Sequence, residues 1–180
     1  MVEQRIVLHD KTFEVYISED VIVSAISRIA DALRRDMEGK NPLYVGILNG
    51  AYLFVAELMC RLPSSCEITF AKYSSYQGTK SAGIVQELLP IPCDDKDRPL
   101  ILLEDVIDSG LTMQYVTNRL REEGVKDVRV ATMLLKPKAL LCDFKPDYVG
   151  MEIENDFIVG FGLDYNGLGR TSRTIYKIRQ

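Results

Sequence analysis

Residues 100–112 read LILLEDVIDSGLT: four apolar residues run into Glu104-Asp105, with Asp108, Ser109, Gly110 and Thr112 close behind. Hydroxyl residues around one permissive glycine, at the start of a helical pattern, can cradle a phosphate. Backbone N–H groups at a helix start are free to bind an anion there. Carboxylates beside such a cradle would by themselves repel phosphate. They fit if they accept hydrogen bonds from ribose hydroxyls or hold a magnesium ion. The stretch therefore predicts a ligand carrying both sugar hydroxyls and phosphate. The plainer alternative is an acidic turn that caps a helix.

The flanking pattern shows what positions these residues. Pro99 precedes a buried-type strand at 100–103, and an amphipathic helix follows from about Leu111 to Glu123 with Met113, Val116 and Leu120 inward. The spacing predicts further strands at 13–17, 43–48, 66–74 and 128–135, and shorter extended stretches at 147–153, 157–162 and 174–178. Between them, Ile22, Ala25, Ile26, Ile29 and Leu33 form a helical stripe behind Ser18, an N-cap candidate. Phe54, Val55, Leu58 and Met59 mark a helix of about a dozen residues. This alternation implies an α/β protein with a mainly parallel sheet, in which ligands bind beyond the C-terminal ends of the strands. Glu104 and Asp105 are expected at such an end. Residues 75–83, SYQGTKSAG, are polar and glycine-bearing and read as a mobile loop.

Composition narrows the chemistry. The 180 residues suit a single domain, 1–180. With 22 basic and 26 acidic residues the net charge is −4, which argues against non-specific nucleic-acid binding. No apolar run approaches the roughly 20 residues of a membrane span, and MVEQRIVLHD lacks a secretory apolar stretch. Cys60, Cys66, Cys93 and Cys142 are scattered without a C-x-x-C pair, so a disulfide framework or zinc site is not expected and a cytoplasmic, reducing setting fits. His9 is the only histidine and reads as a surface residue. A single histidine excludes a multi-histidine metal site, and its surface reading argues against a histidine triad, so proton transfer is expected from a carboxylate, tyrosine or lysine.

The order of apolar run, two acids, two residues and Asp-Ser-Gly-x-Thr resembles the phosphoribosyl-pyrophosphate motif of the type I phosphoribosyltransferases. GILNGA (46–51), SSYQGTKSAG (74–83), DFIVGFGLDYNGLGR (156–170) and Lys136 extend the likeness to the hypoxanthine-guanine branch, from about residue 10 to the end. The resemblance implies the type I fold: a central, mainly parallel sheet flanked by helices, with a small hood formed by terminal segments. It implies purine salvage, a magnesium-dependent transfer of 5-phosphoribosyl to hypoxanthine or guanine, with xanthine as a further acceptor. It also implies a homodimer or homotetramer.

By the same resemblance, Asp108, Ser109, Gly110, Leu111 and Thr112 hold the 5′-phosphate, and Glu104 and Asp105 hold the ribose hydroxyls directly or through magnesium. Asp108 is the general acid/base beside the purine. Lys136 donates to the 6-oxo group and meets a 6-amino group donor-to-donor. Phe157 stacks on the purine, although periodicity alone reads it as core. Ile158 offers a backbone carbonyl. Asp164 is a second magnesium ligand, with a solvated turn acid as the alternative. Asn49, Gly50 and Arg170 bind pyrophosphate, the first two across a cis peptide at Leu48–Asn49. Ser75 and Tyr76 belong to a lid.

Two departures from the family pattern stand out. Asn49 replaces a lysine, which removes a charge and implies weaker pyrophosphate binding, and the glycines of NGLGR imply looser placement of Arg170. Two other classes compete with the enzyme: a regulator on the same fold, and a generic nucleotide-binding α/β protein. The first predicts a basic surface and no need for a purine set. The second lacks a Walker or Rossmann glycine motif here.

Overall fold

Strands that are apolar at every position, such as LYVGIL and LILL, are stable only where helices cover both faces of their sheet. In a computed structural model, which describes residues 4–75 and 85–179, they lie at its centre. The chain runs through Arg5–Leu8 (β1), Lys11–Ile17 (β2), Glu19–Asp36 (α1), Leu43–Leu48 (β3), Tyr52–Met59 (α2), Glu67–Ser75 (β4), Val85–Leu89 (β5), Leu100–Ile107 (β6), Leu111–Glu122 (α3), Val128–Leu135 (β7), Tyr148–Glu152 (β8), Ile158–Val159 (β9) and Ile175–Ile178 (β10).

The main sheet has the order β5-β4-β3-β6-β7-β8. All its neighbours pair in parallel except β5, which returns antiparallel along β4. The expected α/β class holds. From β3 the chain passes through α2 to β4 on one side; from β6 it passes through α3 to β7 on the other. The crevice between β3 and β6 is thus a topological switch point, where open sheets bind ligands.

Core residues divide by strand alternation. Leu100 and Leu102 pack with Met113, Val116 and Leu120 of α3. Ile101 and Leu103 pack on the opposite face with α1 and α2, among Ile22, Ile26, Phe54 and Leu58. The predicted stripe of α1 is buried, and Glu19 and Asp20 begin the helix as its dipole favours. Ser18 stands at the N-cap but makes no side-chain cap bond.

A second, antiparallel sheet, β1-β2-β10-β9, joins the two ends of the chain into the expected hood. Its core is Phe13, Val159 and Tyr176. The structure departs from sequence expectation in several places. β1 was not expected. α2 has eight residues instead of about a dozen, because Pro63 disfavours helix at Leu62. The 157–162 stretch shrinks to the two residues of β9.

The largest difference concerns β6, which continues through Glu104 and Asp105 to Ile107. Pairing with β7 lasts to Ile107 opposite Leu135, whereas pairing with β3 stops at Leu103 opposite Gly46. The two acids therefore lie within a strand, at the point where it parts from β3, and not past a strand end.

Candidate functional site

Because successive strand residues face opposite sides, Glu104 and Asp105 serve different cavities. Glu104 lines one of about 310 Å³, walled by Ile47, Leu48, Asp108, Ser109, Gly110 and Thr112. Asp105 lines one of about 520 Å³, with Gly50, Lys136, Phe157, Ile158, Asp164 and Arg170. Tyr73, Val106 and Asp108 stand in the walls of both.

The first cavity is built largely from backbone. Gly110 is the N-cap of α3 at φ 77°, a left-handed conformation that a side chain would strain. A Cβ there would also crowd Cys142 Sγ at 3.0 Å. Leu111 N–H donates to Ser109 Oγ at 3.4 Å. Among the described residues, the first-turn N–H groups of Thr112 and Met113 have no chain partner. Those groups can accept an anion. Leu111 itself is an exposed side chain outside the cavity wall. Among the described residues Asp108 makes no cap bond to α3: Gly110 holds the N-cap position, and Asp108 pairs with Lys136 instead.

The carboxyls above this cradle are unsettled. Glu104 Oε2 is buried with no hydrogen-bond partner among the described residues. Burial, and then repulsion from Asp105, hold its pKa well above the usual carboxylate range. Burial raises Asp105 too, offset in part by hydrogen bonds and by Arg170; the Val106 N–H donates to its Oδ1 at 2.8 Å. An orphaned oxygen beside a second carboxyl matches a hard cation or sugar hydroxyls, so the residues present fit magnesium. Among the described residues, no three His, Cys, Asp or Glu side chains cluster for a metal; Asp164 shares a cavity with Asp105 but is paired with Arg170.

In the second cavity most charges already have partners. Lys136, 6 % exposed, places Nζ 2.7 Å from Asp108 Oδ1. Its backbone N–H donates to Ile107 O at 3.0 Å, which fixes it just past β7. Arg170 Nη2 lies 2.5 Å from Asp164 Oδ1, and its Nη1 donates to Gly162 O at 2.6 Å. Its own carbonyl accepts from Tyr52 O–H at 3.1 Å and Gly162 N–H at 2.9 Å. Arg170 is thus firmly held despite its glycine-rich approach. Asp164 Oδ2 accepts Gly167 N–H at 2.8 Å, so the turn role and the ion pair coexist.

Phe157 is 46 % exposed and is not core. Tyr165 meets it edge-on at 5.8 Å, and Lys11 Nζ lies 5.8 Å from its ring centre. Its carbonyl accepts Ile178 N–H at 2.9 Å. Alternation along an antiparallel ladder then turns the carbonyl of Ile158 to the free edge of β9.

The β3–α2 turn contains the expected cis peptide, Leu48–Asn49. Gly50 is required by close approach: a Cβ there would fall 1.6 Å from Asp105 Oδ2. Asn49 is exposed and lines neither cavity. Ser75 ends β4, and Tyr76 and the rest of the expected lid loop lie outside the described residues. Tyr73, Val106 and Lys11 were not anticipated from sequence. Tyr73 shares a strand face with buried Ala71, a weak signal that reads only as core. His9 is exposed, as expected, and all four cysteines are free. No helix among the described residues is long and apolar enough to cross a membrane.

Comparison with known proteins agrees with this geometry. Residues 18–166 match the phosphoribosyl transferase domain family. A hypoxanthine-guanine phosphoribosyltransferase of Lactococcus lactis subsp. lactis is 41% identical over 158 residues, 87% of this chain and 86% of that protein. The crystal structure of a hypoxanthine phosphoribosyltransferase from Staphylococcus aureus superposes with a TM-score of 0.86 at 30% identity, covering 92% of this chain and 91% of that one. A hypoxanthine-guanine phosphoribosyltransferase from Bacillus anthracis gives a TM-score of 0.85 at 30% identity, over 92% and 98% of the two chains.

Proposed function

The chain belongs to the phosphoribosyl transferase family, and from that premise we propose that it is a purine-salvage hypoxanthine-guanine phosphoribosyltransferase, acting as one domain over residues 1–180. It transfers 5-phosphoribosyl from phosphoribosyl pyrophosphate to hypoxanthine or guanine, giving IMP or GMP and pyrophosphate, with xanthine as a further acceptor. The observation that supports this most is the position of Asp108, which walls both the backbone cradle and the cavity of Lys136 and Phe157.

The 5′-phosphate sits on residues 108–112, held by first-turn N–H groups and the hydroxyls of Ser109 and Thr112. Glu104 and Asp105 grip the ribose hydroxyls from two sides, and they and Asp164 are the residues that would hold magnesium. A magnesium ion held there would supply positive charge that offsets the charge of the leaving group. Arg170 and the backbone at Asn49-Gly50 take the departing pyrophosphate. Without a lysine at position 49, more of that task falls on backbone and Arg170. Ser75 and Tyr76 close over the site and exclude water from a cation-like ribosyl centre.

The purine stacks on Phe157, with the Ile158 carbonyl at its far edge. The 6-oxo group takes the Lys136 donor that Asp108 accepts in the free protein, which releases Asp108 toward the purine. A 6-amino group meets the same ammonium donor-to-donor, and an unpaired buried polar group costs roughly 1–3 kcal/mol. As the purine nitrogen bonds to ribose carbon 1, the carbon–oxygen bond to pyrophosphate breaks. Asp108 takes or shares the purine proton. The protein works in the cytoplasm on these small molecules, as a homodimer or homotetramer.

The test mixes protein, magnesium and phosphoribosyl pyrophosphate with each purine separately. IMP and GMP should form, and AMP should not. Failure to form nucleotide from any 6-oxopurine would overturn the reading.

A further inference from the structure

Tyr73 is one of only three described residues that wall both cavities, together with Val106 and Asp108. The β4–β5 register shifts between Lys72 and Tyr73. Such irregularities re-aim a side chain and occur often beside active sites. The phenol O–H donates to Glu87 Oε1 at 2.9 Å, and Glu87 Oε2 lies 2.7 Å from Arg119 of α3. Arg119 in turn donates to Glu123 at 2.8 Å. Burial, and then the bond to Glu87, push the phenol pKa up, so the O–H remains a donor. The hydroxyl is thus committed to the protein, and what Tyr73 can offer a ligand is its ring.

A phosphate in the first cavity and a purine in the second would be bridged at this joint by the ribosyl group that both attach to. Resting on the transferase reading above, we propose that the Tyr73 ring is a contact surface for the ribosyl group at this joint. The β4 register shift sets where the ring stands, and the Glu87–Arg119 chain only engages the hydroxyl, on the side of the helix that carries the phosphate cradle. An aromatic face there suits both the apolar edge of a sugar and a ring that gains positive charge.

The ribosyl group is common to phosphoribosyl pyrophosphate and IMP and absent from inorganic pyrophosphate, so three binding titrations in magnesium separate the roles. Tyr73→Ala should weaken the first two by about tenfold and leave pyrophosphate unchanged. Tyr73→Phe should stay within about threefold of the native protein for all three, because it keeps the ring. If Tyr73→Ala does not fold, Tyr73→Leu, which fills the same space without a ring, carries the same comparison. Equal loss for all three ligands, loss for none, or a Tyr73→Phe defect as large as the alanine one would overturn the proposal. Native protein that neither binds phosphoribosyl pyrophosphate nor forms nucleotide would instead sink the transferase reading.

Discussion

The two cavities on either side of β6 are built by opposite means. The one over α3 is made of main chain around a glycine N-cap, and it contains a buried carboxyl oxygen with no partner among the described residues. The one beneath the hood is made of long side chains that already hold one another, Lys136 with Asp108 and Arg170 with Asp164. The first is rigid and electrostatically incomplete, so a ligand supplies what it lacks. The second is electrostatically complete, so a ligand must exchange places with an existing partner. Filling and exchange respond differently to mutation, which makes the contrast testable.

Asp108 belongs to both regions, and its loss should have the largest effect. Asp108→Asn keeps size and hydrogen bonding but not the ability to take a proton. Turnover should fall by roughly 100- to 10,000-fold, with IMP affinity much less changed. Steady-state kinetics set against IMP titration decides this; equal loss of both would make the carboxylate an anchor for Lys136 and nothing more.

A smaller effect is expected in the exchanging cavity. Lys136→Gln replaces an ammonium by an amide that can accept as well as donate. The preference for hypoxanthine over adenine, as a ratio of kcat/KM values, should fall by roughly 10- to 100-fold. Taking the ratio cancels any general damage from a looser Asp108. An unchanged ratio would place purine selectivity elsewhere.

The smallest effect tests the incomplete cavity. Glu104→Gln should stabilise the metal-free protein by roughly 1–3 kcal/mol at neutral pH, a few degrees in Tm for a chain of this length. The native glutamic acid has a raised pKa in the folded state. Its favourable contribution is complete below the ordinary carboxyl range and is lost as pH rises through the higher folded value. Native Tm should therefore decline across that interval, while the glutamine variant should be flatter. Magnesium should raise the native Tm and have less effect on the variant. Parallel Tm–pH curves would show that Glu104 carries no buried charge.

Much of the scaffold could be read from residue order. The stripe from Ile22 to Leu33 and the strand at 128–135 appear as expected, because periodicity and burial agree there. β1 escaped notice because RIVL is short and its pairing with β2 depends on chain folding back on itself. The length of β6 could not be read because a ladder partner, β7, and not hydrophobicity, carries it past Leu103. Motif order picked out most of the residues that wall the two cavities, but Asn49 and Leu111 line neither. It gave no sign that Lys136 and Arg170 would already be occupied, since pairing across 28 positions or around a turn leaves no local pattern. Tyr73 was hidden for the same reason: its place at the joint depends on a register shift between β4 and β5.

Glu104 and Asp105 are consecutive and their carboxyls touch, yet they line different cavities because β6 is extended there. Sliding that strand by a single position would swap which carboxyl enters which chamber and would also push Ile101 and Leu103 into the territory of Leu100 and Leu102. The greasy residues upstream thus act as an indexing rail for the acids downstream, and an insertion anywhere along 100–103 would scramble both chambers while leaving every side chain of the motif intact.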